Sequence, residues 1–265
     1  MIVTPRPKLR IGTSGYVYPH WRKDVFYPSG LPARQELAYY AERFPTVELN
    51  NSFYRLPTPE MFVRWRESTP NDFHFAVKAS RYITHIKRLR NVADEVALFM
   101  QRATMLGPKL GPVLFQLPPT QQIDTARLRD FLGLLPPDQR WVVEFRHPSW
   151  HTGETYQLLA EYGVALCIPV GGRLEPDRIT TAPFTYFRMH RGQEPAGGFT
   201  NEELKSLAAQ VRGLTASGKE VYVYFNNDWE GFALRDAVTF ERYYSNHSVS
   251  SAAGFRLRGD STSAG

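Results

Sequence analysis

Short runs of β-type composition recur along the chain, and a helix-like stretch follows nearly every one. Eight such runs occupy residues 9–12, 47–49, 74–78, 113–116, 141–146, 164–168, 184–190 and 221–226. Most are rich in Val, Ile, Phe and Tyr and are bounded by Gly, Pro, Asn or Asp. Helical spacing marks residues 35–44, 59–67, 92–106, 124–135, 154–162, 200–216 and 231–244. Thr200-Asn201-Glu202-Glu203 reads as a capping box, while Gly107-Pro108, Pro136-Pro137 and Gly163 read as helix stops. Strand centres lie roughly 30 residues apart, the spacing of βα units. In a chain of 265 residues this alternation predicts an α/β protein built as a single (β/α)8 TIM-type barrel. Residues 171–183 are rich in Gly and Pro, so the helix after the sixth strand is expected to be irregular or missing. An open doubly wound sheet is the alternative, but Gly12-Thr13-Ser14-Gly15 is too short for a dinucleotide fingerprint. The barrel is expected to span 1–247. Residues 248–265, poor in apolar side chains, read as a disordered tail.

A hydrophobic content of 42% is enough for one large core. The net charge of +6 weakly favours acidic partners, nucleic acid among them. Cys167 stands alone, which rules out an internal disulfide and fits a reducing compartment. Its neighbours Ala165, Leu166 and Ile168 mark it as a buried strand thiol. No apolar run approaches ~18 residues, and the first residues lack a signal-peptide pattern. These features predict a soluble, cytoplasmic protein with no membrane partner.

Phasing the strands locates the chemistry. Side chains alternate across a strand, and in a barrel the outer face packs on helices and must be apolar. Val47 and Leu49 therefore point outward, and Glu48 and Asn50 inward. The same logic turns Lys78, Gln116, Glu144, Arg146, Arg188, His190 and Asn226 toward the interior, near the carboxyl ends of their strands. Barrel enzymes carry their active sites at that end. Two carboxylates would then share the interior with three permanent cations. Burying such a set is costly unless the groups pair, so one reading is a closed structural ion network. The surplus of cations favours the other reading, a site completed by a bound phosphate or carboxylate.

Several motifs carry a family resemblance. Ile11-Gly12-Thr13-Ser14-Gly15-Tyr16, Trp21, Phe26-Tyr27-Pro28 and Val47 through Pro57 resemble the domain of unknown function 72 family, the YecE-like barrels. So do Phe75-Ala76-Val77-Lys78 with Thr84-His85, Gln116-Leu117-Pro118-Pro119, Glu144 through Trp150, and Tyr224 through Asp228. The resemblance runs from about residue 9 to 244 and implies a TIM-type barrel with no established activity. Three positions depart from the family pattern. Arg191 stands where a glycine follows the histidine, Cys167-Ile168-Pro169-Val170 has no acid after strand six, and Asp236-Ala237 replaces Asn-Ala. The second departure removes one acid or metal ligand.

The residues leave several chemistries open. Glu48 and Glu144 would act as bases or orienting carboxylates, because neighbouring cations depress a carboxyl pKa. His190 is the candidate proton shuttle. Lys78 is a Schiff-base candidate if Arg146 or Arg188 lowers its pKa, and otherwise a partner of Glu48 or Glu144. Arg146, Arg188, Asn50, Gln116, His147, Asn226 and Asp228 are candidate ligand contacts. Tyr54, Arg55, Arg81 and His85 would form a basic, partly aromatic rim suited to phosphates or stacked bases, with Arg81, His85 and Arg88 on one helical face. Trp150 and Trp229 are either ligand walls or caps on the core. Divalent-metal hydrolysis is the weaker alternative, since cations in the pocket would repel a dication. The combined expectation is an enzyme of unknown reaction acting on a small anionic, phosphorylated or sugar-like substrate, with no cofactor and no metal. The alternatives are a nucleic-acid-binding or metal-dependent phosphodiester-cleaving barrel and a non-catalytic barrel.

Overall fold

The computed structural model describes residues 9–172, 174 and 178–246. Eight parallel strands form one sheet: β1 (Leu9–Thr13), β2 (Thr46–Leu49), β3 (His74–Lys78), β4 (Leu110–Gln116), β5 (Trp141–Glu144), β6 (Ala165–Val170), β7 (Phe184–Met189) and β8 (Glu220–Phe225). Each strand from β2 pairs with its successor in sequence, and β8 pairs back with β1. This is a TIM-type barrel. The helices around it are α1 (Glu36–Ala41), α2 (Asn51–Tyr54), α3 (Pro59–Glu67), α4 (Ala93–Ala103), α5 (Thr125–Leu132), α6 (Gly153–Glu161), α7 (Asn201–Ala216) and α8 (Phe232–Ser245).

The seam between β1 and β2 is closed by a side chain. No ladder pairs these strands among the described residues. Instead the buried Tyr40 hydroxyl accepts the Thr13 N–H at 2.9 Å and lies 3.1 Å from the Thr46 carbonyl oxygen, to which it can donate. It thus stands where a ladder hydrogen bond would otherwise form. Gly12 makes this approach possible, because a Cβ there would sit 2.1 Å from the Thr46 oxygen.

Alternation divides the apolar residues into two sets. Val47, Phe75, Val113, Val143, Ile168, Phe187 and Val223 face the helices and form the main core. Ala76, Leu114, Val142, Cys167, Tyr186, Tyr222 and Tyr224 fill the barrel interior below the charged layer. Cys167 is buried among them, as its neighbours suggested. The capping box at the start of α7 forms, with the Thr200 hydroxyl accepting from Glu203 N–H and the Glu203 carboxylate from Thr200 N–H.

Two expected elements are altered. The stretch 92–106 gives α4 followed by a tighter turn from Thr104 to Lys109, broken where Gly107 adopts φ 57°. Strand five leaves the sheet after Glu144, so Phe145 and Arg146 lie on the loop above it. Between β6 and β7 the described residues form no helix, in line with their Gly and Pro content. No described helix is long and apolar enough to cross a membrane. The 248–265 segment lies outside the described residues.

Candidate functional site

The charged layer is organised around Arg188. From β7 its guanidinium reaches Glu48 on β2 through Nε to Oε2 at 3.0 Å and Nη2 to Oε1 at 2.8 Å. It reaches Glu144 on β5 through Nη1 to Oε2 at 2.8 Å. The two carboxylates that phasing turned to the interior are therefore bridged by one cation. Tyr186 donates to Glu48 Oε2 at 2.6 Å, and Gln116 Nε2 donates to Glu144 Oε2 at 3.0 Å. Burial, the largest single influence, would raise both carboxyls, but Arg188 together with Tyr186 and Lys78 holds Glu48 below the ordinary value, and Arg188 together with His190 and Arg146 holds Glu144 well below it. Both stay ionised near neutral pH. Glu48 is sealed beneath Arg188, with both oxygens engaged, which removes it from the role of general base. The charge of Arg188 is spent on two carboxylates, so this residue serves as structure more than as an anion ligand.

Arg146 sits higher and is part-exposed. Its Nε lies 2.5 Å from Glu144 Oε1 as an ion pair, and its Nη2 lies 3.0 Å from His190 Nε2. Arginine only donates hydrogen bonds, so His190 Nε2 must carry the lone pair. A neutral imidazole then bears its proton on Nδ1, 3.0 Å from the Asn226 amide. The Asn226 nitrogen Nδ2 stands there, so this tautomer needs the amide turned to present its oxygen. Burial lowers the His190 pKa, against the opposing pull of Glu144 3.4 Å away. His190 is thus a neutral acceptor at pH 7, its Nε2 lone pair turned to Arg146.

Above this layer opens a cavity of about 700 Å³. Asn50, Lys78, Gln116, Arg146, Arg188 and Asn226 line its floor, and Tyr54 lines its rim. One wall had no counterpart among the sequence candidates: Ser14, Tyr16 and Tyr18, on the loop after β1. The Gly-Thr-Ser-Gly-Tyr run was the available signal, but strand alternation does not extend into a loop. Tyr18 donates to the Ser14 carbonyl at 2.5 Å, which folds the loop over the mouth.

Lys78 differs from its neighbours. Among the described residues its ammonium makes no ion pair and no hydrogen bond; it lies 4.1 Å from the centre of the Phe53 ring. Arg188 has taken the carboxylates that Lys78 was expected to share. Burial, with Arg188 adding to it, lowers the Lys78 pKa to about 8 against the pull of Glu48 and Glu144. Phe53 is placed by α2, which is tied to β3 where Ser52 Oγ donates to the Lys78 carbonyl at 2.6 Å.

The remaining candidates lie off the cavity. Trp150 is 1% exposed, stacks on Phe145 at 4.6 Å and donates to the Gln121 carbonyl, so it caps the core. His147 caps the short turn after it through Ser149. Asp228 holds Trp21 Nε1 at 2.9 Å and His20 at 2.8 Å, anchoring the β1 loop from behind. His85 packs edge-on against Phe53, and burial together with Lys78 lowers its pKa, so it is no cation at pH 7. Arg55 and Arg81 are exposed outside the cavity. Arg88 lies beyond the Tyr82–Ile86 turn with φ 50°, so the expected helical face of Arg81, His85 and Arg88 does not form. No group of three or more His, Cys, Asp or Glu side chains suited to a metal ion occurs among the described residues.

Comparison with known proteins settles the ancestry. A family model described as "Protein of unknown function DUF72" matches residues 10–254. The chain belongs to the DUF72 family. The UPF0759 protein YecE of Escherichia coli is 37% identical over 143 residues, and the chain spans about half the length of this curated relative, 52%. The UPF0759 protein YunF of Bacillus subtilis is 27% identical over 248 residues, covering 79% of this chain and 86% of YunF. A DUF72 crystal structure from Thermotoga maritima superposes with a TM-score of 0.79 at 31% identity, covering 88% of this chain and 98% of the other. One from Enterococcus faecalis gives 0.76 at 20% identity, covering 95% and 100%, and shares the fold. The family is one of unknown function, so within this DUF72 barrel the chemistry is read from the mouth itself.

Proposed function

We propose that the mouth of the barrel is the active site of an enzyme acting on a small anionic substrate by electrostatic and acid–base catalysis. The observation that carries this reading is the uneven pairing of its charges. Arg188 closes on Glu48 and Glu144, Arg146 shares Glu144, and Lys78 is left facing the cavity without a carboxylate. A phosphate or carboxylate would complete the set. Asn50, Gln116 and the Tyr18 loop suit a hydroxyl-bearing molecule, and His190 supplies the base. About 700 Å³ suits a metabolite-sized ligand.

The test is binding of inorganic phosphate and small phosphorylated or keto acids, followed by thermal shift and calorimetry. Wild type should be stabilised saturably, and Arg146→Gln should lose roughly tenfold in affinity, about one charge-assisted contact, with a lower melting temperature without ligand because buried Glu144 loses one ion-pair partner. Equal affinity in the two proteins would end this reading.

A second reading has its own observation. Tyr54 is 75% exposed and precedes the exposed Arg55, and Tyr82 is exposed, preceded by Arg81 and with Lys87 Nζ 5.6 Å from its ring centre. Exposed aromatics among cations suit single-stranded nucleic acid. Binding of a single-stranded oligonucleotide that weakens steeply with salt would support it; no binding at low salt would remove it.

A further inference from the structure

Two lysines are buried among the described residues, and their ammonium groups have opposite surroundings. Lys109 is 6% exposed, and its Nζ donates to the carbonyls of Arg66 at 2.5 Å and Thr69 at 2.6 Å and to Thr69 Oγ1 at 3.2 Å. All three of its N–H groups are engaged, as a structural ammonium requires. Lys78 is 8% exposed, has no such acceptor, and opens onto the cavity. A side chain that only filled space there would need no nitrogen. The rest of its setting suits reaction. The Phe53 ring restricts the ammonium from one side. Asn50, Gln116 and Ser14 share the cavity wall and can hydrogen-bond an oxygen atom. Arg146 shares that wall and can seat an anionic group.

The geometry points to Lys78 as an amine nucleophile that forms an imine with a substrate bearing both a carbonyl and an anionic group, an aldehyde or ketone carrying carboxylate or phosphate. Lys78 has this role only if the mouth takes a small anion, as proposed above. The neutral Nζ lone pair attacks the carbonyl carbon to give a carbinolamine. The C–O bond then breaks, the oxygen leaves as water with both amine protons, and a C=N bond replaces C=O. The imine takes one proton from solvent to become the iminium, which withdraws electrons from the adjacent carbon. With its pKa lowered from 10.5 to about 8, roughly a tenth of Lys78 is neutral at pH 7, against about one in three thousand for an ordinary lysine.

The test is reductive trapping on the full-length chain. Pyruvate and dihydroxyacetone phosphate serve as anionic carbonyl probes, acetone as the neutral one, and lactate and glycerol phosphate as anions without a carbonyl. After reduction with cyanoborohydride, peptide mass spectrometry reads each lysine. The expected result is modification of Lys78 roughly tenfold or more above any other lysine, with an anionic carbonyl and not with acetone, and at least tenfold less at Lys78 in Arg146→Gln. Lys78→Arg should show no adduct at that position. Because the wild-type peptide map is decisive, a variant that fails to fold leaves the result intact. Modification spread evenly over surface lysines, or none at all, overturns the imine. If lactate or glycerol phosphate still binds in an Arg146-dependent way, the anion site stands without the imine; if nothing binds, both fall.

Discussion

Arg188 and Glu48 meet through two parallel N–H···O contacts at 3.0 and 2.8 Å, with neither side chain more than 2% exposed. The pair is tightly coupled because Glu48 without Arg188 would be a buried charge stripped of its main partner, whereas Arg188 without Glu48 would keep Glu144. Arg188→Met, which strips both carboxylates of this cation, is therefore expected to cost about 3–5 kcal/mol, and Glu48→Gln less, because Arg188 then still pairs with Glu144. Both Glu48 and Glu144 are held below the usual carboxylate value. Their contribution is thus complete above the unfolded pKa of about 4.3 and is lost as pH falls toward the folded values. Urea unfolding at pH 7 and pH 4 checks both parts; a single variant as stable as wild type at pH 7 would contradict the coupling.

Trp150 and Tyr54 separate core from mouth. Trp150 is buried flat against Phe145, and Trp150→Ala should cost about 3–5 kcal/mol through the cavity it leaves. Tyr54 is mostly exposed, and Tyr54→Ala should change stability by no more than about 0.5 kcal/mol. Chemical denaturation of the two variants reads the difference directly, and comparable losses would refute the assignment.

The contrast between these two aromatics shows what strand phasing can and cannot recover. Glu48, Lys78, Glu144 and Arg188 were legible because alternation inside a barrel leaves one face for polar groups, and that face had to be the interior. Pairing was not legible, because it depends on side-chain reach across the barrel. Arg188 spans two carboxylates, one of which was expected to pair with Lys78. Loop residues were the other gap. Trp150, His147 and Asp228 follow strand ends, which made them candidates, yet each turns back to cap or anchor the scaffold. Tyr16 and Tyr18 fold over the mouth with no periodic signal to reveal them.

Tyr40 makes the barrel seam testable. Its hydroxyl links the Thr13 N–H to the Thr46 carbonyl in a region where all three residues are fully buried. Tyr40→Phe keeps the ring and its packing on Phe44 but leaves two backbone groups without a partner. The expected cost is about 1–3 kcal/mol, with faster hydrogen exchange at the Thr13 amide and little change at the amides of β5. Uniform protection in the variant would show that the seam does not depend on this hydroxyl.

Lys78 gives a pH signature that its structural neighbours cannot mimic. Arg188, Arg146, Glu48, Glu144 and His85 all interact with it electrostatically, and the net effect with burial lowers its pKa from 10.5 to about 8. Between these values the unfolded chain keeps the proton that the folded chain has lost, so stability attributable to this group rises with pH across that window. Below pH 8 the folded state carries a buried ammonium at a cost of about 3 kcal/mol. Lys78→Met removes that cost. The variant should be more stable than wild type at pH 7, and its advantage should shrink steadily from pH 8 toward pH 10.5. Measuring the difference between the two proteins cancels the titration of the other lysines. A difference that stays constant over that range would mean that Lys78 titrates normally in the fold.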